Sequence, residues 1–256
     1  MSLADTYYTT ATAMLTRARE KNAATLRKCG ALIGDSVVRG GVLHTFGSGH
    51  SEIIGREIIG RAGGLMCVSG IFDPGAGFSE NVVGYGTRLA ERYDKIHGLH
   101  TAECIVVISN SGKNASPIEV ALYAKQKGLT VIALTALSMS TTAKTVHPGG
   151  KNLHAIADYV LDNGGVPGDA IAEIKPPDPG EIPDTGSRGQ PSVFAGPTST
   201  LIGATLLNLL ALEVMDWLNG NGHPLPVLLS QNVPGGMEHN IELARKYGTR
   251  LSKQIG

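Results

Sequence analysis

The sequence predicts an α/β protein whose core is a doubly wound, flavodoxin-like parallel sheet of five strands with helices on both faces. Short runs that are aliphatic throughout, such as "CIVVIS" (104–109) and "TVIALT" (130–135), alternate with stretches of helical periodicity. Strands that are apolar on both sides are typical of parallel sheets covered by helices on both faces. Glycine is also abundant, at 34 of 256 residues, while aromatic residues make up only 5%. Right-handed crossovers between such strands then favour the doubly wound topology.

The predicted elements follow one another in a single domain over 1–256. Residues 1–40 form an N-terminal helical segment, in which the apolar spacing predicts a helix over 3–39 with a break near Gly30. Strands are then expected at 41–46, 65–70, 104–109, 130–135 and 156–162. Helices are expected between them at 52–62, 87–99, 116–128 and 138–145. The third of these begins with Ser116, Pro117 and Glu119, the pattern of a capping box with proline at the first helical position.

Residues 164–197 interrupt this alternation with seven prolines and many Gly, Asp and Ser residues. A segment of this length and composition is predicted to be a surface insertion loop that covers a pocket or contacts a partner. After it, 198–200 are expected to cap an apolar helix running to Asn219, which lies centrally or packs against a second subunit. A last helix is expected at about 238–247.

Composition and charge exclude several classes of partner. Lys plus Arg and Asp plus Glu each total 22, so the formal net charge is zero. Proteins that bind nucleic acid usually carry a basic excess, so no nucleic-acid partner is expected. The best apolar run, 201–212, contains Asn208 and is judged too short to cross a bilayer. The chain opens without a signal segment, and a cytoplasmic protein with no membrane partner is therefore expected.

The three cysteines lie far apart, and two of them occur in apolar runs that resemble strands. Cys29, Cys67 and Cys104 are therefore predicted to be buried, reduced thiols. The sequence contains no Cys/His spacing typical of a zinc site. No metal and no cofactor are predicted.

Two loops of similar chemistry follow the first and third predicted strands. They read "FGSGHS" (46–51) and "SNSGKNAS" (109–116), and a helix begins directly after each. Ligands of doubly wound sheets bind beyond the carboxyl ends of the strands, where helix N-termini present free N–H groups to anions. The first loop lacks the third glycine of a dinucleotide fingerprint, and neither loop matches a nucleoside-triphosphate P-loop. The loops therefore predict a phosphate site formed by Gly47, Ser48, Gly49, Ser51, Glu52, Ser109, Asn110, Ser111, Gly112, Asn114 and Ser116.

The second loop resembles the phosphate loop S-x-S-G-x-[ST] of the sugar isomerase (SIS) domain. Ser109, Ser111 and Gly112 match that pattern, and Asn114 stands where the family usually has Thr or Ser. "GSGHS" resembles the other ligand loop of the domain, with Ser51 at the hydroxyl position. "EIIGR" (57–61) and "NVPGGMEHN" (232–240) are similar to segments of bacterial phosphoheptose and phosphosugar isomerases.

This resemblance implies the SIS fold and a homodimer or homotetramer that binds a phosphorylated sugar at sites shared between subunits. It also implies aldose–ketose isomerisation through an enediol(ate), which requires a proton carrier and a group that opens the sugar ring. Glu57 or Glu238 is the predicted proton carrier, and His239 or His50 the predicted ring-opening group. Glu80, in a glycine-rich loop over 71–86, is a further candidate.

The resemblance to the heptose isomerases is incomplete at their catalytic residues. Those enzymes carry a catalytic glutamate shortly after the segment matched by "EIIGR", whereas 62–64 read Ala-Gly-Gly here. Their late helix also supplies a histidine, and the corresponding helix of this chain has none. Two alternatives therefore stay open. One is a non-catalytic protein that binds or senses a sugar phosphate, and the other is a deaminase or lyase acting on an amino-sugar phosphate.

Overall fold

The computed structural model describes residues 2–175 and 193–252, and a parallel sheet lies at its centre. Its strands are β1 (Leu43–Gly47), β2 (Val68–Ile71), β3 (Cys104–Ile108), β4 (Thr130–Thr135) and β5 (Tyr159–Asp162). They pair in the order β2-β1-β3-β4-β5, all parallel. The predicted five-stranded doubly wound sheet is therefore confirmed. The first, second and fifth strands begin two to three residues later than predicted.

Helices cover both faces of this sheet, as the apolar strands predicted. They are α1 (Leu3–Val38), α2 (His50–Glu57), α3 (Tyr85–His97), α4 (Ala115–Gln126), α5 (Leu137–Ser140), α6 (Ser199–Gly220) and α7 (Gly236–Arg245), with 3₁₀ turns at Leu153–Ala155 and Gly248–Arg250. Along β3, Val106 faces a core shared with α1, α2 and α6, while Val107 faces a core shared with α3 and α4. Both valines are fully buried, as expected for a strand covered on both sides.

The first helix is continuous, so the predicted break at Gly30 is wrong. Instead, Gly30 and Gly34 lie where α1 crosses α6. A Cβ at Gly30 would lie 2.7 Å from the Cβ of Glu213, and one at Gly34 would lie 2.3 Å from Cε3 of Trp217. Contacts this short cannot accommodate a methyl group. The two glycines therefore allow the helix axes to approach closely.

The S-P-x-E pattern of 116–119 does not form the predicted capping box. Helix α4 begins at Ala115, and its N-cap residue, Asn114, makes no side-chain hydrogen bond to the helix. The carboxylate of Glu119 instead accepts hydrogen bonds from the backbone N–H groups of Gly84 and Thr87, at the start of α3. Glu119 is buried, and α3 packs closely against α4, so its carboxylate caps the neighbouring helix instead of its own.

Part of the predicted insertion loop is an antiparallel strand pair. β6 (Ala170–Ile174) pairs with β7 (Val193–Pro197), and Ala172 lies opposite Ala195. The hydroxyl of Tyr7 donates a hydrogen bond to the carbonyl oxygen of Pro197, which ties this pair to α1. The remaining part of the predicted loop, 176–192, lies outside the described residues.

Helix α6 is 22 residues long and, by length and composition, apolar enough to cross a membrane. The sequence-based view that its apolar run is too short is therefore wrong. Its buried residues, including Ile202, Leu206 and Leu210, pack in the core against α1, α2 and the sheet. A core helix of a soluble protein can meet the same criteria of length and composition, so this helix is weak evidence for a membrane span.

The three cysteines are buried and free, as predicted. Burial raises the pKa of Cys29, Cys67 and Cys104 to about 12. A thiol with so high a pKa is not a nucleophile near neutral pH.

Candidate functional site

A cavity of about 710 Å³ opens at the carboxyl ends of β1 and β3, where the starts of α2, α4 and α6 converge. The strand order reverses between these two strands, so the cavity occupies the topological switch point of the sheet. Among the residues predicted to bind ligand, those that line it are Ser48, Gly49, His50, Ser51, Ser109, Asn110, Ser111 and Asn114. The structure thus brings together side chains from both of the loops that the sequence singled out.

The loop after β1 makes one of the tightest turns in the fold. A Cβ at Gly47 would lie 2.5 Å from the backbone of Ser51, so only glycine fits there. Gly49 has a φ of +56°, a conformation that also favours glycine, and α2 begins directly after it. Gly47 therefore shapes the loop without lining the cavity, and the turn presents Ser48, His50 and Ser51 to it.

The loop after β3 forms a wall of neutral hydrogen-bonding groups. The Gly112 N–H donates to the hydroxyl of Ser109 at 3.2 Å, and the side-chain oxygen of Asn110 accepts a hydrogen bond from Asn163 at 2.8 Å. No described residue bonds the hydroxyl of Ser111 or the side-chain amide of Asn114, and both line the cavity. In this loop, these two side chains are therefore free to donate hydrogen bonds to an anionic ligand.

The start of α4 contributes fewer free donors than the sequence suggested. The Ser116 N–H donates to the carbonyl oxygen of Glu80 at 2.8 Å, and Pro117 has no N–H to offer. The hydroxyl of Ser116 is buried and has no hydrogen-bond partner among the described residues, and Ser116 does not line the cavity. The anion-binding capacity of this wall thus depends on its loop more than on the helix N-terminus.

Glu52 lies outside the cavity and helps to fix one of the loops that form it. Its carboxylate accepts a hydrogen bond from the Asp73 N–H at 2.8 Å and pairs with Arg56 at 2.6 Å, and it does not line the cavity. The carboxylate of Asp73 in turn accepts hydrogen bonds from the N–H groups of Gly75 and Gly77. It also accepts one from the hydroxyl of Tyr85 at 2.7 Å, and this bond raises the pKa of that phenol. Together these bonds fix the loop that follows β2.

The loop that Asp73 fixes carries an acidic group into the cavity. Glu80 accepts a hydrogen bond from the hydroxyl of Ser48 at 2.6 Å, so it joins the loop after β2 to the loop after β1. Phe78 lines the rim of the cavity with 97% of its surface exposed. His50 is exposed on the opposite loop, and its side chain makes no hydrogen bond with the described residues. Glu80, which the sequence offered only as a further candidate, therefore lines the cavity and links two of its loops.

The wall of the cavity at the start of α6 depends on Asp169, a residue that the sequence did not single out. Asp169 has a φ of +60° and accepts hydrogen bonds from the Ser199 N–H at 2.9 Å and the Ser199 hydroxyl at 2.5 Å. Its carboxylate therefore caps α6 in place of Thr198, which makes no capping bond to the helix. The pairing of Ala170 with Pro197 brings these positions together, so only the tertiary structure reveals this cap.

Within a single chain, three predicted catalytic residues lie away from the cavity. Glu57 pairs with Arg61 on the surface. Glu238 and His239 lie on α7, and Nε2 of His239 is 3.0 Å from the carbonyl oxygen of Val227. Helix α7 packs beside Val42 and Met66, which precede β1 and β2, so it occupies the opposite end of the sheet. Within one chain these three residues therefore do not line the cavity, and their catalytic roles stay predictions.

The described residues contain no group of three or more His, Cys, Asp or Glu side chains placed to hold a metal ion. A network of hydrogen bonds around buried His44 and Glu103 lies at the amino ends of the strands. Nε2 of His44 lies 2.9 Å from Glu103, Nδ1 lies 2.9 Å from the hydroxyl of Tyr93, and Arg250 pairs with Glu103 at 2.7 Å. Burial lowers the pKa of His44, so this histidine is a neutral, hydrogen-bonded core residue, as the sequence indicated.

The fold and the cavity define the chain as a doubly wound α/β protein with its candidate ligand site at the switch point of the sheet. The SIS domain family matches residues 6–136, and the chain belongs to that family. A UPF0309 protein of Brucella anthropi is 35% identical over 257 residues, covering 97% of each chain. A UPF0309 protein of Geobacillus sp. (strain WCH70) is 34% identical over 236 residues, covering 90% of each.

Solved structures of lower identity share the fold. A phosphoheptose isomerase from Francisella tularensis has a TM-score of 0.54 at 14% identity and covers 83% of this chain and 96% of its own. A phosphoheptose isomerase from Neisseria gonorrhoeae has a TM-score of 0.51 at 14% identity, with coverage of 83% and 97%. The SIS fold predicted from the two ligand loops is therefore confirmed.

Proposed function

We propose that the protein binds a phosphorylated sugar in this cavity and interconverts its aldose and ketose forms. The observation that carries the proposal is that two walls of the cavity differ in chemistry. Neutral donors from the loop after β3 face the cavity on one side, and Glu80, hydrogen-bonded to Ser48, enters it from another. The first wall suits a phosphate, and the second supplies a group that can take and return a proton.

In this proposal the phosphate accepts hydrogen bonds from Ser111, Asn114 and the backbone of their loop. His50 donates a proton to the ring oxygen and then takes up the proton that the anomeric hydroxyl loses, which opens the sugar to its carbonyl form. Glu80 then removes the proton from the carbon next to the carbonyl, giving an enediol(ate). Glu80 returns that proton to the former carbonyl carbon, while the proton of the neighbouring hydroxyl passes to the former carbonyl oxygen, so atoms and charge balance over the cycle. Ser48 positions the carboxylate through its 2.6 Å hydrogen bond.

Deuterium exchange tests this proposal. The protein is incubated in D2O with a panel of pentose, hexose and heptose phosphates and followed by proton NMR. We expect deuterium to appear at C1 or C2 of one sugar as its partner accumulates. Glu80→Gln is expected to lower the rate at least about a hundredfold, the usual contribution of a general base. Glu57→Gln is the matched control, because Glu57 pairs with Arg61 outside the cavity, and it is expected to leave the rate unchanged.

A non-catalytic sugar-phosphate-binding protein is the second candidate. It is favoured by the position of Glu57, Glu238 and His239 outside the cavity, which leaves Glu80, Asp169 and His50 as the titratable residues that line it in the described part of the chain. Saturation-transfer NMR distinguishes the two candidates. A sugar phosphate that binds without any deuterium incorporation supports this second function and contradicts the first.

The proposal includes a cytoplasmic homodimer or homotetramer, as the sequence suggested. Along the outer face of α6, Leu201 and Leu212 are 40% and 53% exposed, and the helix lies beside the cavity wall. A second copy covering this face would bury apolar surface next to the site. Light scattering after size-exclusion chromatography measures the mass, and a monomer at micromolar concentration contradicts this part of the proposal.

A further inference from the structure

Three lysines from two separate segments meet on the surface. Lys113 belongs to the loop after β3, and Lys144 and Lys151 belong to the segment between α5 and β5. The N–H of Val146 donates to the carbonyl oxygen of Lys113 at 2.9 Å. The hydroxyl of Thr145 donates to the carbonyl oxygen of Lys151 at 3.3 Å. Because Thr145 and Val146 directly follow Lys144, these two bonds bring the three lysines together.

The charge of this lysine cluster is not compensated nearby. All three side chains are exposed, and no described carboxylate pairs with any of them. The segments that carry them, 109–118 and 136–157, contain no Asp or Glu. The next acidic residue along the chain, Asp158, pairs with Lys125 instead. A local excess of positive charge therefore exists in a chain whose formal net charge is zero.

The lysine cluster borders the cavity without lining it. Ser111 and Asn114, on either side of Lys113 in the loop, both line the cavity. Among the described residues no lysine or arginine lines it, whereas Glu80 and Asp169 do. The positive charge thus lies outside the cavity, and the negative charge lies within it.

Charges placed in this way act on a ligand before it binds. Their field extends over about a Debye length, which is about 30 Å at 10 mM salt and about 8 Å at 150 mM. A patch of one sign beside a cleft raises the local concentration of oppositely charged ligands, and association rates rise by roughly 10- to 1,000-fold. Lysine suits this role because its ammonium group stays strongly hydrated on a flexible stem.

We propose that Lys113, Lys144 and Lys151 form a steering surface that speeds the entry of anionic ligands into the cavity. This inference rests on the proposed function in taking the ligand to be an anion. It divides the work between two sets of residues. The lysines set the rate of association, and the neutral donors Ser111 and Asn114 hold the bound phosphate.

Inorganic phosphate is the probe that tests this inference on the full chain. Phosphorus NMR relaxation dispersion, with a titration, measures its association and dissociation rate constants at about 10 mM and about 150 mM NaCl. We expect the wild-type association rate to fall severalfold at the higher salt. In Lys113→Gln/Lys144→Gln/Lys151→Gln we expect it to be about tenfold lower at 10 mM, with little dependence on salt.

Two controls separate steering from net charge and from binding. Lys95→Gln/Arg245→Gln/Lys246→Gln removes three exposed positive charges from the ends of α3 and α7, away from the cavity, and is expected to keep the wild-type rates. Ser111→Ala is expected to raise the dissociation rate constant while its association rate keeps the wild-type dependence on salt.

The outcomes distinguish this inference from the proposed function. A wild-type association rate that does not change with salt overturns the inference without any variant. Equal losses in the lysine variant and its charge-matched control also overturn it, because net charge alone would then explain them. A folded lysine variant that changes only the dissociation rate shows direct contact with the anion and contradicts steering. Each of these results leaves phosphate binding intact. If the wild type binds neither inorganic phosphate nor any sugar phosphate, the proposed function fails, and the inference fails with it.

Discussion

The buried carboxylate of Glu103 pairs with Arg250, and replacing Arg250 tests what this ion pair contributes to stability. The side chain of Glu103 is only 3% exposed. Burial alone would raise its pKa, but hydrogen bonds from His44, the His100 N–H and Arg250 outweigh burial and lower the pKa from 4.5 to about 2. One pKa unit corresponds to about 1.4 kcal/mol, so the folded environment of Glu103 contributes about 3 kcal/mol to the free energy of unfolding.

The direction of the pH dependence follows from these values. The folded pKa of Glu103 lies below its unfolded value, so its contribution is present above pH 4.5 and is lost as the pH falls towards about 2. His44 acts in the same direction. Because burial lowers its pKa below 6.5, the unfolded chain binds a proton near that pH that the folded chain does not. We therefore expect stability to begin falling near pH 6.5 and to fall further below pH 4.5.

Arg250→Met is expected to lower the free energy of unfolding by about 2–4 kcal/mol at pH 7, because it leaves a buried carboxylate without its cation. Urea denaturation followed by the fluorescence of Trp217, the single tryptophan, measures the change. Arg39→Met is the matched control. Arg39 pairs with Asp35 on the surface, with 53% of each side chain exposed, and its loss is expected to cost less than about 1 kcal/mol. A loss of stability in Arg250→Met no larger than that of the control would refute the reasoning.

Three further changes probe the site and the helix contact. Ser111→Ala is expected to weaken sugar-phosphate binding by about 1–3 kcal/mol in calorimetry, and an unchanged dissociation constant would remove this hydroxyl from the site. Gly34→Ala is expected to destabilise the protein by about 1–3 kcal/mol in urea, since its methyl would meet Trp217 at 2.3 Å. Gly220→Ala, with open space around it, is the control, and an equal loss there would contradict the packing argument. Asp169→Ala removes the cap of α6 and is expected to lower the melting temperature, with a stability cost of about 0.5–2 kcal/mol; no change would show that the helix start is satisfied otherwise.

The features that sequence predicts well here are those encoded locally. Aliphatic strands, the turns after them and the hydroxyls of 109–111 all lie within short segments, and the structure places them as expected. The doubly wound parallel topology followed from the preference for right-handed crossovers. The cavity itself was predictable because two loops at the carboxyl ends of neighbouring parallel strands must lie close together.

The features that sequence did not predict depend on contacts between distant segments. Asp169 caps a helix 30 residues further along the chain, and it reaches that helix only because β6 and β7 pair. Glu119 fits a local capping motif but bonds the N–H of Gly84, 35 residues earlier. Glu238 and His239 have the residue types of a site, yet apolar packing holds α7 at the other end of the sheet. In each case a tertiary contact replaced the interaction that local sequence indicated.

The close approach of α1 and α6 also has a consequence for the cavity. Ser199 and Thr200, in the cavity wall, begin the same helix that carries Glu213 and Trp217 against the two glycines of α1. At 1.5 Å per residue these two regions are about 20 Å apart along the helix axis. A single helix of this length is rigid along its axis, so its two ends move together. The close packing of α1 on α6 at Gly30 and Gly34 therefore also helps to position the helix whose first residues line the cavity.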